Sequence, residues 1–271
     1  MSVATNKKRL FSPLIRSFGV TVLYLVPTFL ILLPYQSQKL FPQFSKAVPF
    51  TLLCLIYLAY TWFFTRIIDR RPWSVLELKL DKHALQGFML SLLLTAFLVI
   101  LGAGVSVLIF HDYFSGNSFS LPNLWQSFAL SFLLQGFPEE IVFRGYMIQT
   151  LERKPLPALW ISSSLFALMH IVHIFPSLGG SIAGLFNVFY AFCFGLLACL
   201  LKYLFRTTWA AVAVHGGMHM TREILSMLGL TPSMPLLING LLMLLTAAWL
   251  LYHYRDRLKS WESIQSASFF R

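Results

Sequence analysis

The sequence is built from apolar runs of about 20 residues joined by short polar connections, and this limits what the chain can fold into. A run of that length crosses the hydrocarbon core of a bilayer as one α-helix. Inside lipid a single apolar run satisfies its own backbone only as a helix. About eight segments qualify, at roughly 14–34, 48–66, 84–110, 125–149, 157–175, 183–204, 207–227 and 234–253. A soluble core is excluded. Only 11% of the 271 residues are charged, against about 25% in soluble domains, and the mean hydropathy is +0.71. The expected fold is all-α, a polytopic membrane protein in which residues 1–271 form a single integral membrane domain. No internal repeat, low-complexity tract or second domain interrupts it.

The charge is distributed as topology determinants are. Lys and Arg number 21 against 10 Asp and Glu, a net charge of +11. Arg66, Arg70, Arg71, Lys79 and Lys82 lie between the second and third runs. Arg153 and Lys154, then Lys202 and Arg206, mark two further connections, and Arg255, Arg257 and Lys259 follow the last run. The intervening loops near 111–123, 176–182 and 228–233 carry no Lys or Arg. This alternation puts both termini in the cytoplasm. Lys39 and Lys46 break the pattern, and Arg222 and Glu223 read as interface groups. Segment 67–83, mixed in character, is expected at the cytoplasmic interface. The first run follows Lys7, Lys8, Arg9 and Arg16 and is longer than a signal-peptide core, so it reads as a retained helix. No basic stripe alternates with stacking aromatics, so nucleic acid is not an expected partner. Cys54, Cys193 and Cys199 lie in apolar runs without a C-x-x-C pair and read as buried thiols.

Against this apolar background the polar residues at membrane depth stand out. Glu139, Glu140 and Arg144 occupy six positions of the fourth run. An ionisable group there costs a few kcal/mol or more. Glu140 and Arg144 have the i, i+4 spacing of an ion pair, so Arg144 can hold Glu140 ionised. Glu139 points about 100° away around the helix and is left for another role. Pro138 has no N–H and clashes with the carbonyl of Leu134, which should loosen the helix beside the glutamates. His170 lies in the fifth run, and His215 and His219 share one face of the seventh. At 1.5 Å per residue, Glu139, His170, His215 and His219 all fall roughly 12–20 Å from the cytoplasmic surface. His173 lies nearly a turn deeper than His170 and is left out of the layer.

A carboxylate and an imidazole that share a water can activate it as a nucleophile. A second imidazole can donate to the oxyanion formed when water attacks a carbonyl. The layer thus suits peptide hydrolysis without a covalent intermediate and without a cofactor. A zinc alternative uses His170, His215, His219 and Glu139 as ligands, since His215 and His219 have the spacing of a helical zinc pair. The H-E-x-x-H pattern is absent, which ranks zinc second.

At these residues the chain resembles the CAAX protease and bacteriocin-processing family of intramembrane endopeptidases. The family pattern of E-E-x-x-x-R is met at Glu139, Glu140 and Arg144, and F-x-x-x-H at Phe166 and His170. H-x-x-x-N is met at His215 but not at its last position, where His219 replaces Asn. The run Phe192-Cys-Phe-Gly195 also fits, and the likeness covers about 125–225. The resemblance implies a catalytic core on the fourth to seventh helices, with Glu139 and His170 activating water. It implies His215, with His219 in the place of Asn, as oxyanion donors, and a membrane-associated peptide or protein substrate, lipidated or not. It also makes a bacterial cell membrane the expected location ahead of the endoplasmic reticulum. Two other readings remain open: a noncatalytic immunity or scaffold protein, and a transporter using the layer as a proton relay. The paired broken helices and repeats frequent in transporters are missing.

Overall fold

A helix occupies each apolar run in the computed structural model, which describes residues 12–36, 47–111, 119–151, 155–175, 181, 183–231 and 234–268. In chain order they are α1 (Pro13–Gln36), α2 (Ala47–Phe63, continued by a π-helical turn Phe64–Ile68), α3 (Lys82–Phe110) and α4. The last is an interrupted rod over 121–151. Then come α5 (Pro155–Met169, tightening into a 3₁₀ turn His170–Ile174), α6 (Gly184–Phe205), α7 (Thr208–Met227) and α8 (Pro235–Ser268). There is no β-strand among the described residues. Five stretches are long and apolar enough to cross a membrane: Thr51–Ile68, Lys82–Phe110, Leu156–Ile174, Gly184–Phe205 and Pro235–Asp256. The chain is therefore a polytopic membrane protein, but by this measure the count of eight spans is not reached. α4 and α7 fall outside it because they carry the charged residues and histidines, and the apolar part of α1 at Pro13–Pro27 is shorter.

Helix α6 is the axis of the bundle. Its span is 67% buried, against 28–39% for the other four. It packs against α5, α7 and α8, while α7 lies between α3 and α4. The outer faces of α3 and α8 present Leu93, Phe97, Leu245 and Trp249, the surface expected where lipid replaces water. Small residues bring α4 and α7 together. A Cβ on Gly136 would lie 2.9 Å from the Gly216 nitrogen, and one on Gly216 would lie 2.2 Å from the Phe132 ring. Such close approach is how membrane helices gain contact without a hydrophobic driving force between them.

The segment between α2 and α3 forms a folded strap across one end of the bundle. Trp73–Leu76 makes a 3₁₀ turn, and Glu77 follows in a left-handed conformation at φ 54°. This aims the strap at the start of α7. Thr208 donates its N–H to the Glu77 carbonyl at 3.1 Å and its hydroxyl to that of Leu76 at 2.6 Å. Trp209 Nε1 donates to the Leu78 carbonyl at 3.0 Å. The Leu76 side chain is fully buried. Asp81 then caps α3, accepting the Ala84 N–H at 2.9 Å, and that bond holds its carboxyl below the usual range.

Cations that sequence patterning assigns to topology carry this end of the structure. Buried Lys202 pairs with Glu77, and buried Arg16 pairs with buried Asp69. Asp69 also accepts from Thr150 at 3.4 Å, and Arg71 donates to the Gln149 carbonyl at 2.5 Å. Segment 67–83 is thus docked on the ends of α4, α6 and α7. A chain crossing there needs partners for its backbone polar groups, and the helix ends supply them. Removing one member of a buried pair strands the other. Lys202→Met should therefore lower stability by about 2–4 kcal/mol in detergent melting, and adding Glu77→Gln should recover part of the loss. A single variant as stable as the wild type would remove this pair from the account of the strap.

Candidate active site

The site grows from the break in α4. Pro138 offers no N–H, and the backbone answers by widening its turns on both sides. Ala129–Gly136 and Ile141–Met147 are π-helical, with the short α-helical piece Phe137–Glu140 between them. The Phe137 N–H accordingly reaches back five residues to the Phe132 carbonyl. Wide turns of this kind recur at functional positions. They place the two glutamates in different surroundings. Glu140 is fully buried, whereas Glu139 is partly exposed.

Glu140 sits between two cationic or donor groups. Its Oε1 accepts from Arg144 Nη1 at 2.9 Å and contacts His215 Nδ1 at the same distance. Arg144 is itself fully buried. Its guanidinium lies 4.4 Å from the centre of the Phe166 ring, with Phe194 at 5.5 Å and Phe143 at 5.9 Å. Aromatic faces attract a desolvated guanidinium. Gly195 leaves room for it, since a Cβ there would lie 2.9 Å from Arg144 Nη2 and 3.2 Å from Ser163 Cβ. Glu140 Oε2 and the Nε and Nη2 atoms of Arg144 have no hydrogen-bond partner among the described residues.

The hydrogen-bond network also fixes the histidine tautomers. An ionised carboxylate only accepts, so His215 donates from Nδ1 to Glu140. His170 Nδ1 lies 3.0 Å from the Phe166 carbonyl, which likewise only accepts. Both imidazoles thus spend Nδ1–H on a fixed partner and keep Nε2 for chemistry. The His215 ring meets Phe194 edge-on at 4.7 Å and Phe166 at 5.8 Å, and it stacks on His219 at 5.2 Å. His170 lies 5.0 Å from Phe166. The Phe166 ring is therefore common ground for Arg144, His170 and His215.

One placement adds to the expectation. His215 approaches Glu140, so Glu140 bridges Arg144 and His215 instead of serving Arg144 alone. His173 lies 6.0 Å from His170, ring to ring. The 3₁₀ turn His170–Ile174 has three residues per turn, so positions three apart eclipse. No group of three or more His, Cys, Asp or Glu converges as ligands among the described residues.

Residues 121–221 match the family model described as type II CAAX prenyl endopeptidase Rce1-like. That stretch contains Glu139, Glu140, Arg144, His170, His215 and His219, and it is the family that the motifs resemble. A comparison with curated proteins gave no match. Over this region the chain is similar to CAAX-type proteases, and the likeness supports an intramembrane protease. The burial of Arg144 sets a clear expectation. Arg144→Ala leaves Glu140 charged and half-bound in an apolar interior, and should cost about 3–5 kcal/mol, seen as lost yield and a lower melting temperature. Normal amounts of a fully active Arg144→Ala protein would contradict the assignment of Glu140 as an ionised, buried carboxylate.

Proposed function

We propose that the chain is an endopeptidase that hydrolyses a peptide bond of a membrane-associated or lipidated substrate with water activated inside the bilayer. One observation carries the reading. Glu140 is fully buried and twice bound, while its neighbour Glu139 is partly exposed, and the Nδ1–H groups of His170 and His215 are already spent. Two carboxylates in such unlike settings suit two roles.

Glu139 takes the proton as the water oxygen adds to the carbonyl carbon, and His170 Nε2 holds the water's second hydrogen. The carbonyl π pair moves to oxygen, giving an oxyanion. His215 and His219 donate to it. For His215 to donate from Nε2 its ring carries both protons, with Nδ1–H donated to Glu140. The C–N bond then breaks, and the departing amine receives the proton from Glu139. No step needs a metal.

The termini belong in the cytoplasm on this reading. The Arg71–Gln149 and Lys202–Glu77 contacts gather three Lys- and Arg-bearing connections at one end of the bundle, and such connections stay inside. Cysteines placed in 67–82 should react only with membrane-permeant reagents, and those in 177–182 with impermeant ones. The reverse pattern would invert the orientation.

Glu139→Gln keeps the shape and removes the base, so cleavage should fall about 10²–10⁴-fold with the melting temperature unchanged. A Glu139→Gln protein that cleaves normally would rule this mechanism out. His219→Asn should retain substantial activity, because an amide also donates to an oxyanion. Chelators should have little effect. Stoichiometric zinc in the wild type, lost together with activity in His219→Asn, would decide for the zinc alternative.

A further inference from the structure

We infer that a cavity at the end of the bundle opposite the strap binds the headgroup of an amino-phospholipid, a phosphodiester joined through two carbons to a primary ammonium. This site is independent of the hydrolytic reading. The cavity holds about 210 Å³ between α3, α7 and α8, and its walls include Val99, Arg222, Glu223, Ser226 and Asn239. Helix α7 starts at the strap with Thr208, so Arg222 and Ser226 lie about 21 and 27 Å along it at 1.5 Å per residue. A hydrocarbon core is about 30 Å thick, which puts the cavity where the chains of one leaflet meet their headgroups. The walls α3 and α8 are also the helices whose outer faces are apolar.

Two opposite charges share this cavity without matching each other. Arg222 and Glu223 are consecutive on α7, and consecutive helical side chains point about 100° apart. Both are half-buried. Arg222 forms no ion pair among the described residues, and Glu223 is met by the Ser127 hydroxyl at 3.5 Å. A simple anion or a peptide carboxylate would satisfy Arg222 and leave Glu223 as it is. A zwitterion satisfies both, with phosphate on the guanidinium and ammonium on the carboxylate. Asn239, 3% exposed, adds an amide. Its Oδ1 has no hydrogen-bond partner among the described residues and sits against Gly102 of α3, 1.8 Å from where a Cβ would lie. That leaves Nδ2 as the polar atom it offers the cavity, a further donor for phosphate. A quaternary ammonium has no N–H for Glu223 and is held by aromatic faces, and no described residue lining the cavity is aromatic. Ligand pockets usually hold about 300–1,000 Å³, so this smaller space takes a headgroup and leaves the acyl chains on the lipid-facing helices.

Delipidated protein in detergent can be melted with added short-chain phosphatidylethanolamine, phosphatidylcholine or phosphatidylglycerol, because a ligand that binds only the folded state raises the melting temperature. Phosphatidylethanolamine should raise it saturably at concentrations where the other two do little. Arg222→Gln and Glu223→Gln should each weaken its apparent affinity about 10- to 100-fold, the usual effect of losing a hydrogen bond to a charged group. Glu223→Gln should also reverse the selectivity, since the cavity then carries a cation alone and takes phosphatidylglycerol best. Residues that merely pack would not exchange one headgroup for another. Free phosphoethanolamine should bind at least about tenfold more weakly than the lipid, because it lacks the chains. Equal binding of the two would assign the cavity to a soluble ligand and overturn the lipid assignment. Equal shifts with the three lipids, a wild-type preference for phosphatidylglycerol, or a phosphatidylethanolamine response unchanged in both variants would overturn the inference. If a variant does not accumulate, the wild-type lipid series decides alone.

Discussion

The fully buried carboxylate of Glu140 is the constraint around which the rest is arranged. A charge in that position is tolerated only with partners. One comes from the same helix, Arg144, and one from α7, His215. The guanidinium in turn needs a cage, and Phe143, Phe166 and Phe194 provide it from α4, α5 and α6. Gly195 is the cost of that cage in shape, since any side chain there would meet Arg144. Four helices therefore converge on one charge. The same residues orient His215, so what keeps the core electrically acceptable also sets the tautomer at the site.

Local pattern and distant partner divide what the sequence revealed. Long apolar runs announce helices because lipid leaves the backbone no other choice. Glu140 and Arg144 could be paired on paper because their spacing is one helical turn. Pro138 announced a disturbed α4 because its missing N–H is a property of the residue itself. The approach of His215 to Glu140 was not legible, because it depends on how α7 is rotated against α4. That rotation follows from the contact of Gly136 with Gly216 and of Gly216 with Phe132. The Lys202–Glu77 pair gave no sequence signal at all. A lysine at a helix end is ordinary in membrane proteins.

The strap at 69–78 links these levels. Asp69 binds α1, Arg71 binds the end of α4, and Glu77 binds α6 while its carbonyl receives α7. The positions of α1, α4 and α7 are thus set from one end by a segment with little regular structure. Glu139 and His215 ride on two of those helices. Precision in the layer is inherited from polar contacts at the bundle's edge as well as from packing in its middle.

The pairing of Glu140 first with a near neighbour and then with a distant one bears on how the chain is made. His215 lies 75 positions after Glu140. At about 5–20 residues per second, a ribosome needs about 4–15 s to cover that distance. Throughout the interval α4 meets the insertion machinery with its most costly charge already matched by Arg144, four residues on. Local neutralisation lets the helix partition into lipid before its tertiary partners exist. The arginine is then a chaperone-like group carried within the helix, and its service in the finished protein is a second use of the same contact.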